Sequence, residues 1–318
     1  MKILLFALAL LLPALGAAQP YPAKPVRIIV PAQPGGGLDL IGRTVADQLS
    51  RALQQSFIVE NSSGGGGAIA SMTVARATPD GYTLMVGYVA THATNPAVRK
   101  VPYDAVKDFT PIAMIGGTRN LLVVHPDVPV SDLKGFVDYA KAKAGKLAYG
   151  SGGIGTLNHL VMEQFRGAAG FEMITAHFRG IGPAFQGMLG SQIEVMTPGL
   201  AAALPHIRSK KVKPIAVTGL TRHPLLPEVP TFEEAGFKGF DGVQWYGIVG
   251  PAKMSPEITR KLAAEIDKAL ASPALQQRLA NEAIDPMPMT PEQFGSFIQA
   301  ELARYAALAR ERKLTLDD

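Results

Sequence analysis

The sequence predicts an α/β protein with mainly parallel sheets flanked by helices, on three observations. Short apolar or β-branched runs alternate with stretches whose apolar residues recur every three or four positions. Glycine-rich segments stand where the first kind of stretch gives way to the second. The C-terminal third is punctuated by Ser-Pro and Thr-Pro pairs, the pattern of capped helix starts.

In chain order, 26-VRIIV-30 reads as a strand and 31-PAQPGGGLD-39 as a loop. Leu38, Ile41, Val45, Leu49 and Leu53 then form one helical stripe. Strand-like 57-FIVEN-61 precedes the glycine run 64-GGGG-67, whose composition favours a turn over a helix start. After Thr78-Pro79-Asp80-Gly81, 82-YTLMVGY-88 reads as a buried strand. Further strands are expected at 110–116, 121–125, 173–178, 193–196, 214–219 and 246–250. Ser255-Pro256 and Ser272-Pro273 open helices, and Thr290-Pro291-Glu292-Gln293 adds a capping box. Phe294, Phe297, Ile298, Leu302 and Tyr305 line one helical face as core.

Residues 1–18 stand apart. Met1-Lys2, the apolar run Ile3 to Leu12, and the small-residue exit Gly16-Ala17-Ala18 form a secretory signal peptide, with cleavage expected near Ala18. The remainder, about 300 residues, suggests two domains. There is no cysteine, which excludes disulfides, thiolate metal sites and cysteine nucleophiles. The formal charge of +5 is not gathered into a basic block with interleaved aromatics, so nucleic acid is not an expected partner.

Within 147-LAYGSGGIGTLNHL-160, residues 150–155 spell GxGxxG. A dinucleotide site needs an acidic residue closing the next strand. Glu172 precedes that strand instead, and His177, Phe178 and Arg179 stand at its end. No cofactor is therefore expected. The physics of the loop survives, because a helix start offers unpaired N–H groups and partial positive charge, and glycine lets an anion approach. The same device occurs at 34-PGGG-37, so two such loops facing each other would hold the carboxylates of a small acid. Asp39 is either the cap of its own loop or a ligand contact. His159 reads as a packed or capping histidine, or as a base; Trp245-Tyr246 as core or as a pocket wall. The six histidines show no zinc-helix spacing, and no GxSxG, HExxH or GxxxxGK[ST] is present, so neither a metal nor an enzyme is expected.

Seven stretches in order carry a resemblance: 24-KPVRIIVPAQPGGGLD-39, 79-PDGYTL-84, 94-TNPAV-98, 148-AYGSGGIGTLNHL-160, 204-LPHIRSKKVKPIAVTG-219, 226-LPEVPTFEEAG-236 and 250-GPAKMSPEI-258. Through them the chain resembles the Bug-type periplasmic solute receptors of tripartite tricarboxylate transporters. The resemblance implies a two-lobed periplasmic-binding-protein fold of type II, the Venus flytrap. Domain 1 would comprise 19–121 plus 243–318, and domain 2 would be 122–242. It further implies a monomer in the periplasm that captures a di- or tricarboxylate or aromatic carboxylate between its lobes. Delivery would be to membrane permease subunits, or to a signalling system in the alternative. Expected ligand-binding residues are Gln33, Gly36, Gly37, Thr91, Ser151, Gly155 and Thr156, with Asp39 organising the first loop, and Arg179 and Gly199 on the second lobe. The chain departs from the family pattern at Ala32-Gln33, at 61-NSSG-64, at 176-AHF-178 and at Thr197-Pro198-Gly199, all where the family's ligand sits.

Overall fold

The computed structural model describes residues 21–34, 37–178 and 180–314. The expected signal peptide, and Gly36 and Arg179 of the expected site, lie outside the described residues. Among the described residues eleven strands, numbered in chain order, make two sheets. The first is ordered β11 (Asp285–Pro286), β4 (Phe109–Arg119), β10 (Val243–Pro251), β3 (Thr83–Tyr88), β1 (Val26–Val30), β2 (Phe57–Asn61). The second is ordered β7 (Ile174–His177), β6 (Ala148–Ser151), β8 (Val195–Met196), β5 (Leu121–Val124), β9 (Lys213–Val217). Helices flank both, so the chain forms two α/β lobes.

The expectation of mainly parallel sheets gives way to mixed ones. β1 runs parallel to β2 and β3, and β6 to β7 and β8. β10, however, lies antiparallel to β3 and to β4, from Val243 opposite Arg119 to Pro251 opposite Phe109. The reason is topological. β4 leads the chain out of the first sheet and β10 leads it back in, so side by side they must run in opposite directions. In the second sheet β5 and β9, the strands next to those crossings, are likewise antiparallel.

The crossings are short and tied together. Only Asn120 separates β4 from β5. The Asn120 backbone N–H donates to Thr218 Oγ1 at 2.9 Å, and Thr218 N–H returns a bond to the Asn120 carbonyl at 2.8 Å. Thr218 Oγ1 in turn donates to the carbonyl of Gly242, the residue before β10, at 2.9 Å. Asn120 Nδ2 donates to the Thr197 carbonyl at 2.8 Å. All three side chains are fully buried, so one hydroxyl links both connections where no water competes.

Helices form where the pattern placed them. α1 (Gly37–Leu53) buries Ile41, Val45 and Leu49 against β1 and β3 beside α8 (Pro256–Leu270). The cap expectations hold. Ser255 accepts from Glu257 N–H, Ser272 accepts from Leu275 N–H at the start of α9 (Pro273–Asn281), and Thr290 and Gln293 close a reciprocal capping box on α10 (Pro291–Arg312). The glycine run is both a turn and a helix start: Gly65–Gly67 make one 3₁₀ turn leading into α2 (Ala68–Ala75). Its carbonyls take bonds from Asn95 Nδ2 and an Arg99 guanidinium nitrogen. α10 packs on β4 and reaches α5 (Leu157–Ala169) of the other lobe, joining Trp245, Phe294 and Tyr305 to Leu160 and Phe165 in one apolar cluster. Each such side chain contributes roughly 1.5–3 kcal/mol by leaving water. Among the described residues no helix is long and apolar enough to cross a membrane.

Replacing Thr218 by Val keeps its shape and strands the Asn120 N–H and the Gly242 carbonyl in the interior. We expect this to cost about 1–3 kcal/mol in urea unfolding; an unchanged midpoint would show that the shared hydroxyl does not hold the crossings.

Candidate ligand-binding site

The first glycine loop runs from the end of β1 to the start of α1. Asp39 lies in the first turn of α1, buried at 5 % exposure. Its Oδ2 accepts from Arg43 Nε at 2.9 Å and its Oδ1 from Asn61 Nδ2 at 2.9 Å. Asn61 Nδ2 also reaches the Ala32 carbonyl at 3.1 Å. Asp39 thus ties the helix start to the loop before it and to β2. Gln33 is exposed and its Nε2 donates to Ser63 Oγ at 2.6 Å. Gly37 is exposed too, and a Cβ placed there would lie 3.6 Å from Tyr246 Oη, an ordinary contact.

Behind Gly37 stands a wall made by β3 and β10. Tyr88 and Tyr246 are directly paired across the antiparallel register. Successive residues of a strand face opposite sides, so Gln244 shares the face of Tyr246 while Trp245 turns away. Trp245 is fully buried with its ring edge-on to Phe294 and Phe297, each 5.7 Å away between centroids. Gln244 Nε2 donates to Tyr246 Oη at 2.8 Å. Burial pushes the Tyr246 hydroxyl up to about 12, so it stays protonated. Gln244 Oε1 also lies 4.0 Å from the Cβ position of Gly199, which caps α7 (Leu200–Arg208) in the second lobe. Thr118 packs at that position and its hydroxyl accepts from Ala201 N–H at 3.2 Å. A line Gly37–Tyr246–Gln244–Gly199 therefore joins the start of α1 to the start of α7. Gln244 and Thr118 were not expected from sequence; strand alternation around Trp245-Tyr246 is the signal that points to Gln244.

Thr91 sits in a π-turn, Ala90–Thr94, fully buried. Its hydroxyl donates to the Tyr88 carbonyl at 3.1 Å, accepts from Tyr88 N–H at 3.2 Å, and lies 2.8 Å from His92 Nδ1. It fixes the end of β3 that carries Tyr88. His92 is also fully buried, and desolvation pushes its pKa down to about 3, so the ring is neutral.

The mid-chain loop links β6 to α5, which starts after Thr156. Its glycines have local reasons. A Cβ at Gly150 would fall 2.1 Å from Ile193 Cδ1, and Gly155 has φ 78°, the left-handed region. Side chains of the loop and of the first turn of α5 take up the N–H groups. Gly152 N–H donates to Asn158 Oδ1 at 3.3 Å, Gly153 N–H to Ser151 Oγ at 3.3 Å, and Gly155 N–H to His159 Nδ1 at 3.3 Å. Thr156 Oγ1 lies 2.6 Å from the Gly153 carbonyl and bonds Asn158 Oδ1. Asn158, unsuspected from sequence, is thereby the hub of the loop, and its own carbonyl accepts from Thr197.

Two histidines flank this loop. His177, at the end of β7, places Nδ1 2.7 Å from Ser151 Oγ. His159 lies edge-on to it with ring centroids 5.0 Å apart. Desolvation, stronger than the attraction of Glu163, holds His159 down at about 4 and keeps His177 below its usual value. Glu163 accepts from Tyr149 Oη at 2.9 Å and pairs with Arg166 at 2.7 Å. Among the described residues no cluster of three or more His, Asp or Glu is placed to hold a metal ion. What the arrangement offers is donors at helix starts, on both sheets.

Comparison with known proteins identifies the family and the fold. Residues 41–314 match the family described as "Tripartite tricarboxylate transporter family receptor". Protein BugT of Bordetella pertussis is 31 % identical over 297 residues, covering 93 % of this chain and 91 % of BugT. The solved structure of R. palustris Rpa4515 with adipate superposes with a TM-score of 0.87 at 31 % identity, over 92 % of this chain and 98 % of that one. MatC from Rhodopseudomonas palustris with bound malate gives a TM-score of 0.82 at 30 % identity, over 91 % and 99 %.

The buried histidines set a pH dependence. The folded pKa values of His92 and His159, about 3 and about 4, lie below the ordinary value of 6.5. The unfolded chain therefore binds more protons, and stability falls as pH drops below about 6.5. Between pH 7 and pH 5 we expect a loss of about 1–2 kcal/mol per histidine, read by urea unfolding without added ligand. Constant stability over that interval would contradict neutral burial of these rings.

Proposed function

The chain belongs to the tripartite tricarboxylate transporter receptor family, and on that premise we propose that it captures a small organic carboxylate between its two lobes for such a transporter. In this reading it works in the periplasm as a monomer and hands its ligand to membrane permease subunits. It performs no covalent chemistry.

The observation that carries the reading is the pair of glycine-lined helix starts, one on each sheet, with a third at Gly199 joined to the first through Gln244 and Tyr246. A carboxylate is the smallest common group that suits such places. It accepts several N–H bonds at once and is attracted by the positive end of the helix dipole. Each charge-assisted bond contributes about 1.5–3 kcal/mol. The adipate bound to Rpa4515 and the malate bound to MatC are dicarboxylates, each able to offer one group to either lobe.

We assign direct or water-bridged contact to Gln33, Gly36, Gly37, Ser151, Gly155, Thr156, Arg179 and Gly199. Asp39 and Thr91 act by fixing the loop and wall behind those contacts, which is what their buried, fully bonded side chains support. The lobes are then 19–121 with 243–318, and 122–242. Closure turns about Asn120 and the Gly242–Val243 junction, the two connections that Thr218 ties.

The test is a thermal-shift screen of residues 19–318 against malate, adipate and other mono-, di- and tricarboxylates at neutral pH and fixed salt. A ligand at a thousand times its Kd stabilises by about 4 kcal/mol, and each kcal/mol raises Tm by about 2–4 °C in a chain of this class. Gly37→Val, whose Cβ would make only an ordinary contact with Tyr246 Oη, should keep the ligand-free Tm and weaken binding at least about tenfold. The absence of any shift with the whole panel, in protein free of co-purified acid, would overturn the carboxylate assignment.

A further inference from the structure

We propose that His159 and His177 make anion capture at the mid-chain loop proton-linked: each holds one loop donor while neutral and releases it toward the ligand on taking up a proton. This rests on the receptor reading above and adds to it which residues tune the affinity and how.

The bond from Gly155 determines the tautomer of His159. His159 Nδ1 accepts from Gly155 N–H, so in the neutral ring the proton sits on Nε2, which points toward Glu163 Oε1 at 3.9 Å. Ser151 Oγ accepts from Gly153 N–H and lies 2.7 Å from His177 Nδ1; with the neutral His177 proton on Nε2, the Ser151 hydroxyl donates to that nitrogen. In this state the Gly155 N–H and the Ser151 O–H both end on imidazole nitrogens. A proton added to His159 Nδ1 turns that nitrogen into a donor. It can no longer accept from Gly155, and the two N–H groups then converge on the same space. A proton added to His177 Nδ1 makes it donate to Ser151 Oγ. That oxygen then accepts from both His177 and Gly153, and its hydrogen must turn elsewhere. In each ring one proton changes an occupied donor into a free one and adds a positive charge. A carboxylate in the loop accepts from both freed donors and offsets that charge.

The surroundings fit a switch that closes only with the anion present. Glu163, 14 % exposed in its side chain, stands behind both rings and favours their charged forms. Arg166 on the same helix disfavours a charged His159, as does His177 across from it. Ser151 faces His177 from β6. Arg179 follows next but one after His177 and lies outside the described residues. Without a ligand, burial keeps His159 neutral at pH 7, and two imidazolium rings 5.0 Å apart repel. The bound anion supplies the missing charge, so its arrival raises both affinities for protons, and protons raise its own by the same factor.

Isothermal calorimetry of malate and adipate binding, in phosphate and in Tris at pH 6.5, measures the protons taken up. We expect net uptake with either acid, and affinity rising as pH falls from 8 to 5.5 by up to tenfold per pH unit for each proton taken up. His159→Asn and His177→Asn each keep an acceptor for the loop donor and do not titrate. Each should lower the uptake, and together they should abolish the pH dependence. Binding with equal affinity at pH 5.5 and 8 and no uptake would overturn the proposal and leave the receptor reading intact. Uptake that persists in the double variant would overturn the assignment to these two rings. Failure of every carboxylate to bind at any pH would overturn both readings.

Discussion

A helix start leaves backbone N–H groups that must find acceptors, and that requirement organises this molecule around its ligand-binding face. In the first lobe Asp39, held by Arg43 and Asn61, fixes the loop that ends in such donors. In the second lobe Asn158, Ser151 and His159 accept from the loop itself. In the second lobe the donors are therefore satisfied before any ligand arrives, by side chains that an anion can replace. Capture becomes an exchange of acceptors. It gains charge-assisted bonds without first stranding a buried N–H.

The same face depends on how the two lobes are joined. β4 and β10 run side by side along nine paired positions, so the connections that follow them emerge together. Thr218 then bonds both connections through one hydroxyl, and the apolar cluster of α10 and α5 presses the lobes together nearby. A rotation about so narrow a junction moves the helix starts relative to each other while leaving each loop's internal bonds intact. The tyrosine wall lies next to this junction, which is why Gln244, Tyr246 and Gly199 form a continuous path between lobes.

Much of this was legible in the sequence because it is local. Strand runs, the helical stripe of α1 and the caps at Ser255, Ser272 and Thr290 each announce themselves within a few residues, and all formed where expected. Sheet direction was less legible, because it depends on β10 returning beside β4 from more than a hundred residues away. The GGGG run could not be settled locally either, since Asn95 and Arg99 stabilise its carbonyls from a later segment. At the site, the glycine loops and Asp39 could be read from residue type. Gln244 and Thr118 could not, because only sheet register and the approach of α7 bring their side chains together; Asn158 bonds within its own loop, but its residue type alone does not announce that role. His177 stood out as a departure from the family pattern, but its pairing with Ser151 and His159 required the register of β6 with β7.

In the proposed capture, one ligand is held by both helix starts at once. Backbone amide spectra of the isotopically labelled receptor, followed while a bound carboxylate is titrated in, test it most directly. The amides of Gly37 and Gly155, on different lobes, should shift along one and the same binding isotherm. A saturable ligand that moves one of these amides and leaves the other in place would contradict it.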